Sequence, residues 1–157
     1  MHNNEILRRL SDALSLTDAR LLAIFALGGD DLAEQDVRAL TREQGKDGAV
    51  VCPDDLLARF LDGLIVEQRG PREPGRPTPV SAVRLTNNAV LKKLRIALAL
   101  KEDDVLRVLA AGGNPMSNRE LTTLFRKPGN KHFRRCGDDV LRSFLIGLED
   151  GLGEQLP

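Results

Sequence analysis

Aromatic side chains are scarce in this sequence of 157 residues, which contains five Phe, no Tyr and no Trp. We therefore expect a core built mostly of Leu, Ile, Val and Ala. Proteins that bind single-stranded nucleic acid usually expose aromatic rings on which the bases stack. Since most of the few rings are needed inside a core, the composition argues against that mode of binding.

Long apolar runs are absent as well. A helix that crosses a bilayer needs about 20 consecutive apolar residues, whereas the longest apolar stretches here carry charges at helical spacing. The first residues lack the basic-then-apolar layout of a signal peptide, so we expect a cytoplasmic protein with no membrane contact. Two Cys form no disulfide scaffold and should be thiols in a reducing compartment. Together with only two His, they predict no metal site, and no cofactor is expected.

The formal net charge is zero, but the charges are unevenly distributed. Residues 1–70 carry a net charge of −5, residues 71–86 carry +2, and residues 87–157 carry +3. An acidic half and a basic half suggest different partners for the two halves, or an interaction between them.

The chain contains an internal repeat. At a constant offset of 84 residues, positions 3–64 align with positions 87–148 without a gap and share 22 identities over 62 positions. The shared residues include Leu stripes at helical spacing, two Asn-Asn pairs, two Gly-Gly pairs and a Cys-x-Asp-Asp sequence in each copy. We predict one helical repeat over residues 1–70, a Pro/Gly-rich linker over 71–86, and a second helical repeat over 87–157.

Each copy is expected to form four helices. In the first copy these run from about Asn4 to Leu16, from Thr17 to Gly28, over about residues 32–43, and onward from Pro53. In the second copy Ser117 and Glu120 have the spacing of a capping box. A unit of about 60 residues is only marginally stable alone. The sequence therefore predicts an all-α fold of two tandem, pseudo-symmetric four-helix repeats that pack on each other, about a pseudo-twofold axis.

The repeated pattern also resembles a known family. The sequence Asn-Asn-x-x-Leu-(Arg/Lys)-(Arg/Lys)-Leu, then Gly-Gly, then Cys-x-Asp-Asp-x-Leu-x-x-Phe-Leu-x-Gly-Leu is similar to that of the YehS-like proteins, small bacterial proteins with a duplicated domain of unknown function. The most specific part is the run over residues 88–98. The resemblance covers nearly the whole chain and implies a bacterial cytosolic protein. It brings no known activity and no catalytic residue.

We interpret the polar residues that the copies share as structural. The Asn pairs are expected to be N-caps, with one Asn of each pair tying the helix start to a neighbouring segment. The Gly pairs are expected to end helices. The Asp pairs suit the first turn of a helix, with Arg42 or Arg126 as an ion-pair partner. Cys52 and Cys136 are expected to pack or cap, with a redox-sensitive or catalytic thiolate as the alternative. No catalytic triad or nucleotide motif occurs, so we expect no enzyme.

The copies differ most between residues 119 and 135, where the second copy has a net charge of +5. The cations are Arg119, Arg126, Lys127, Lys131, Arg134 and Arg135, and the corresponding residues of the first copy are Gln35, Arg42, Glu43, Asp47, Val50 and Val51. The stretch follows a helix–turn–helix-like arrangement, in which the second helix of a DNA reader enters the major groove.

Two functions are consistent with this difference. The first is a non-enzymatic interaction or regulatory module that acts through protein–protein contacts, with an unidentified partner or as a homo-oligomer. The alternative is nucleic-acid binding through the basic stretch, with Asn130 joining its six cations. A merely solvated surface, or pairing with the acidic first copy, would also account for the charge.

Overall fold

The computed structural model describes residues 1–42, 47–70 and 85–151, and its regular elements over those ranges are all helices. The all-α prediction is therefore confirmed. The predicted linker lies outside the described residues apart from Leu85 and Thr86, and so does Glu43. Within these ranges the helices are α1 Asn3–Ala13, α2 Asp18–Leu27, α3 Glu34–Thr41, α4 Asp54–Arg69, α5 Asn87–Ala97, α6 Glu102–Ala111, α7 Asn118–Leu124 and α8 Asp138–Gly151. Across these described ranges, no helix combines the length and the apolar character that a bilayer crossing requires.

Side chains define several helix starts. Thr17 accepts a hydrogen bond from the backbone N–H of Arg20 at 3.2 Å, and Ser117 accepts one from Glu120 at 3.1 Å, as expected for N-caps. The predicted start of α3 was two residues too early, because Asp36 accepts from the backbone N–H of Ala33 at 2.9 Å and fixes the start there.

The prediction that the repeated Asn residues are N-caps was wrong. Both Asn pairs lie inside the first turns of α1 and α5, and the cap positions are His2 and Thr86. Thr86 accepts a hydrogen bond from the backbone N–H of Ala89 at 3.1 Å and so satisfies the start of α5. The amides of the Asn residues are therefore available for other contacts.

Glycine brings helices into backbone contact within each copy. α2 packs on α4, and α6 packs on α8 in the same way. A Cβ atom at Gly63 would lie 2.1 Å from the carbonyl oxygen of Ile24, and one at Gly147 would lie 1.9 Å from that of Val108. Gly28 and Gly112 make the opposite side of the same contacts, while Gly29 and Gly113 have φ of +100° and +91°. The second Gly of each Gly-Gly pair therefore ends its helix, as predicted, and the first allows close packing.

The two copies pack on each other reciprocally. α1 packs mainly against α8, and α5 packs against α4, so the first helix of each copy lies on the last helix of the other. The buried apolar side chains of both copies form one continuous cluster. Ion pairs cross both junctions, among them Glu5 with Arg142 at 3.6 Å and Lys93 with Asp62 at 2.5 Å. Such reciprocity is the mark of a twofold arrangement, here within one chain.

Candidate functional site

The second Asn of each pair ties the start of the first helix of its copy to the end of the third helix and to the segment that follows that helix. Asn4 donates to the carbonyl oxygens of Leu40 at 2.9 Å and Val50 at 2.6 Å, and its own oxygen accepts from the backbone N–H of Cys52 at 2.9 Å. Asn88 makes the three equivalent bonds, each at 2.9 Å, with Leu124, Arg134 and Cys136. The expectation that one Asn of each pair ties the helix start to a neighbouring segment is therefore confirmed.

The first Asn of each pair holds an aspartate that also bridges the copies. Asn3 donates to Asp54 at 2.7 Å, and Asn87 donates to Asp138 at 2.7 Å. The second oxygen of Asp54 accepts from the backbone N–H of Leu85 at 3.1 Å, and that of Asp138 accepts from the amino group of Met1 at 2.5 Å. Residues 1 and 85 are equivalent under the 84-residue offset. These aspartates thus join the two copies.

The bonds at Asp138 also hold the pKa of its carboxyl below the ordinary value, chiefly through the Met1 amino group and then through Asn87. The prediction that Arg42 or Arg126 pairs with these aspartates was wrong. Arg42 donates instead to the carbonyl oxygen of Asp47 at 2.7 Å, and Arg126 makes no ion pair within the described ranges. Asp54 and Asp138 are therefore occupied by structural bonds, and Asp55 pairs with Arg59 at 3.2 Å.

Cys52 and Cys136 lie in the core, each with 2% of its surface exposed. The pKa of both thiols is raised to about 12, first by burial and then by the carboxylates of the following Asp pair. A reactive thiolate needs an electropositive and partly exposed setting. Both thiols have the opposite surroundings, which supports the packing interpretation over the redox and catalytic ones.

We expect both thiols to resist alkylation by iodoacetamide at neutral pH in the folded protein. Because the pKa rises from 9.0 to about 12, the thiolate fraction falls by about 1000-fold, and only the thiolate attacks. Mass spectrometry should find no adduct on the native chain and two adducts after unfolding in guanidinium chloride. Rapid modification of either thiol in the native state would contradict this placement.

The seven residues predicted to form a basic site are all exposed. Arg119 lies in α7 and the other six lie in the segment that joins α7 to α8. None of the six cations makes an ion pair with a carboxylate of residues 1–42, 47–70 or 85–151. In the first copy, by contrast, four arginines are each paired with a carboxylate: Arg9, Arg20, Arg38 and Arg59.

The structure divides the basic residues between two clefts. One cleft, of about 570 Å³, is lined by Arg119, Thr122, Thr123, Arg126 and His132; we call it the anion cleft. The other, of about 290 Å³, includes Arg134 and Arg135 together with Glu120 and Asp139. The predicted residues Lys127, Asn130 and Lys131 line neither cleft and lie in the loop beside them.

The loop is fixed by its own hydrogen bonds. The side-chain oxygen of Asn130 accepts from the backbone N–H of His132 at 2.9 Å, and the backbone N–H of Asn130 donates to Lys127 at 3.0 Å. The backbone N–H of Arg134 donates to the carbonyl oxygen of Thr123 at 3.0 Å, which attaches the loop to α7. Asn130 is therefore exposed, and its side chain also helps to shape the loop.

Sequence reasoning missed Thr122, Thr123 and His132. Positions 119, 122, 123 and 126 follow the i, i+3, i+4, i+7 spacing of one helix face, opposite the buried Leu121 and Leu124. That spacing was a usable signal. His132 had none, because the loop and not helical periodicity brings it to the cleft.

Comparison with known proteins identifies the same duplication. The model of the family described as "Protein of unknown function (DUF1456)" matches residues 3–70 and 87–150. The chain is similar to the uncharacterized protein YehS of Escherichia coli (strain K12), with 40% identity over 148 residues that cover 94% of each chain. No solved structure matches the chain.

Proposed function

Because this chain belongs to the DUF1456 family of proteins of unknown function, we propose its function from its own surface: a non-enzymatic binding module that holds nucleic acid by the phosphate groups. The observation that carries the proposal is the set of six exposed cations between residues 119 and 135 without a carboxylate partner among the described residues. An unpaired Lys or Arg can contact phosphate without first giving up an internal ion pair. Phosphate contacts supply most of the affinity of many nucleic-acid-binding proteins.

The rings of the protein favour contacts with the phosphate backbone over stacking on bases. Phe25, Phe60 and Phe144 are fully buried. Phe133 is half-buried, and so is Phe125, which has the guanidinium of Arg95 at 4.8 Å from its ring centre. Single-strand binders that are indifferent to sequence need exposed rings. A duplex, whose phosphates are accessible without unstacking, is the better fit.

We expect binding to a short DNA duplex to weaken steeply with salt, and the double variant Lys127→Glu/Lys131→Glu to reduce that dependence. If each lysine contacts one phosphate, the slope of log K against log salt should fall in magnitude by about 2. Gel shifts or fluorescence anisotropy at several salt concentrations would measure it. The matched control is Arg69→Glu/Lys92→Glu, which changes two other exposed cations by the same charge. Equal loss in both variants, or no binding at low salt, would count against the proposal.

A second candidate function, protein–protein contact, has support in the first copy. Val50 and Val51 are exposed by 54% and 65%, and they occupy the positions of Arg134 and Arg135. The acidic copy thus exposes an apolar pair where the basic copy exposes two arginines. An exposed apolar pair is a modest signal of a partner surface.

Recovery of the tagged protein from cells would separate the two functions. The bound protein and nucleic acid are identified with and without nuclease treatment. If nucleic acid is recovered and every protein is lost on nuclease treatment, the phosphate-binding function is supported. A stoichiometric protein that resists nuclease and is lost in the variant Val50→Ser/Val51→Ser would support the second candidate.

A further inference from the structure

The anion cleft has the composition of a site for a single phosphate group. We propose that Arg119 and Arg126 hold one phosphate there, with His132 at the edge, and that this cleft is the anchor of the basic surface; the inference rests on the proposed function. Among the residues that the structure describes, none that lines this cleft is a carboxylate. Two guanidinium groups around one cleft suit a tetrahedral anion, because each presents a planar fork of donors.

The donors for the anion can be identified from the hydrogen bonds. The hydroxyl of Thr122 donates to the carbonyl oxygen of Asn118 at 2.8 Å, and that of Thr123 donates to Glu120 at 2.5 Å. With their protons directed at the helix backbone, the two threonines form a wall of the cleft. The guanidinium groups of Arg119 and Arg126 and the His132 ring remain as donors.

In the first copy, the arginines on the equivalent helix face are bonded to other groups of the protein. At the position of Thr122 it has Arg38, which pairs with Glu34 at 2.6 Å and Asp18 at 3.4 Å. At the position of Arg126 it has Arg42, which donates to the carbonyl oxygen of Asp47 at 2.7 Å. Where the first copy has Glu34 and Gln35, the second copy has Asn118 and Arg119. One scaffold therefore satisfies its arginines internally in one copy and leaves them open in the other.

The neighbouring cleft is a poorer site for an anion. Its two arginines, Arg134 and Arg135, share the lining with Glu120 and Asp139, so the positive and negative side chains balance. A phosphate entering it would meet two carboxylates. The anchor is therefore assigned to Arg119 and Arg126, although all four arginines are exposed.

The test compares two double variants that each remove two positive charges. Arg119→Ala/Arg126→Ala should weaken duplex binding about 10-fold or more, because charge-assisted bonds are the strong ones. Arg134→Ala/Arg135→Ala should weaken it clearly less. In parallel, inorganic phosphate and a mononucleotide are titrated while amide chemical shifts are recorded; in the wild type the shifts should change at residues 119–126 and 132, and in Arg119→Ala/Arg126→Ala they should not.

The outcomes separate the two proposals. If the wild type binds duplex but both variants lose affinity equally, the anchor assignment is wrong and the proposed function stands. If phosphate or the mononucleotide perturbs the cleft but the duplex does not bind, the cleft is a site for a free phosphate compound and the proposed function fails. If the wild type binds neither the small anions nor the duplex, both fail.

A third variant should strengthen binding. The carboxylate of Glu102 lies beside the cleft wall, with its oxygen 3.4 Å from the hydroxyl oxygen of Thr122. Glu102→Gln removes that negative charge and should raise phosphate affinity about two-fold, as expected for one charge several ångströms away near the surface. Weaker binding in Glu102→Gln would show that the anion lies elsewhere.

Discussion

Replacing Asn4 by Ala is expected to lower the free energy of unfolding by about 4 kcal/mol. Asn4 is 2% exposed, and its amide makes three hydrogen bonds, to Leu40, Val50 and Cys52. Removal of the amide leaves two carbonyl oxygens and one N–H without their partner, in a place where water has little access. Each such group costs about 1–3 kcal/mol. Urea unfolding followed by far-ultraviolet circular dichroism would measure the change.

The second copy supplies the comparison. Asn88 makes the same three bonds but is half-buried, so water can replace part of the lost amide, and Asn88→Ala should cost about 2 kcal/mol. Asn130→Ala is the surface control, because Asn130 is exposed, and it should cost under about 1 kcal/mol. Asn4→Ala with a cost as small as that of Asn130→Ala would show that the amide does not hold the start of α1.

The role of the Asn pairs shows where sequence reasoning stops. An N-cap and a long-range amide tie require the same side chain at nearly the same place, so the spacing predicts both. The choice depends on which residue takes the extended conformation before the helix. His2 and Thr86 take this conformation, with ψ of 143° and 158°. The second Asn of each pair is then free to bind a segment 36–48 residues away. The repeat itself could be recognised from the sequence, because aligning the chain with itself at one offset requires no knowledge of the structure.

The packing of the copies was predictable only in outline. The marginal size of each unit predicted that they pack together, and one shared core confirms it. The exchange of partners, α1 with α8 and α5 with α4, depends on complementary surfaces that no pattern within one helix encodes. The residues that bridge the copies, Met1 and Leu85, also lie just outside the 62 aligned positions. They contact the other copy through their backbone nitrogens, and the amino-acid sequence does not indicate which backbone groups make such contacts.

The candidate site was predictable as charge but not as shape. All six cations could be found by counting charges along the sequence, since the net charge of a segment does not depend on the fold. Their division between two clefts depends on the loop, whose hydrogen bond from Arg134 to Thr123 brings Arg134 and Arg135 beside Glu120 and Asp139. A sequence lists these charges near each other without stating which ones share a surface. The structure therefore moves the emphasis from the whole stretch to Arg119 and Arg126.

Replacing Gly147 by Ala is expected to lower the free energy of unfolding by about 3 kcal/mol. Inside an exposed helix the same change would stabilise by about 1 kcal/mol, because Ala is the better helix former. Here a Cβ would lie 1.9 Å from the carbonyl oxygen of Val108 and 2.8 Å from its carbonyl carbon. A backbone atom cannot rotate away as a side chain can, so α6 and α8 must separate and the core between them loosens. Thermal and urea unfolding would measure the loss.

Gly63→Ala and Gly151→Ala decide whether packing is the cause. Gly63 makes the equivalent contact in the first copy, at 2.1 Å from Ile24, and should show a similar loss. Gly151 belongs to the same helix as Gly147, but a Cβ there meets nothing within 4 Å, so Gly151→Ala should be neutral or slightly stabilising. If all three variants behaved alike, helix propensity would govern these positions. A loss confined to Gly63 and Gly147 would mean that the duplicated glycines set the distance between the helices of each copy, and hence the shape of the scaffold on which the anion cleft is built.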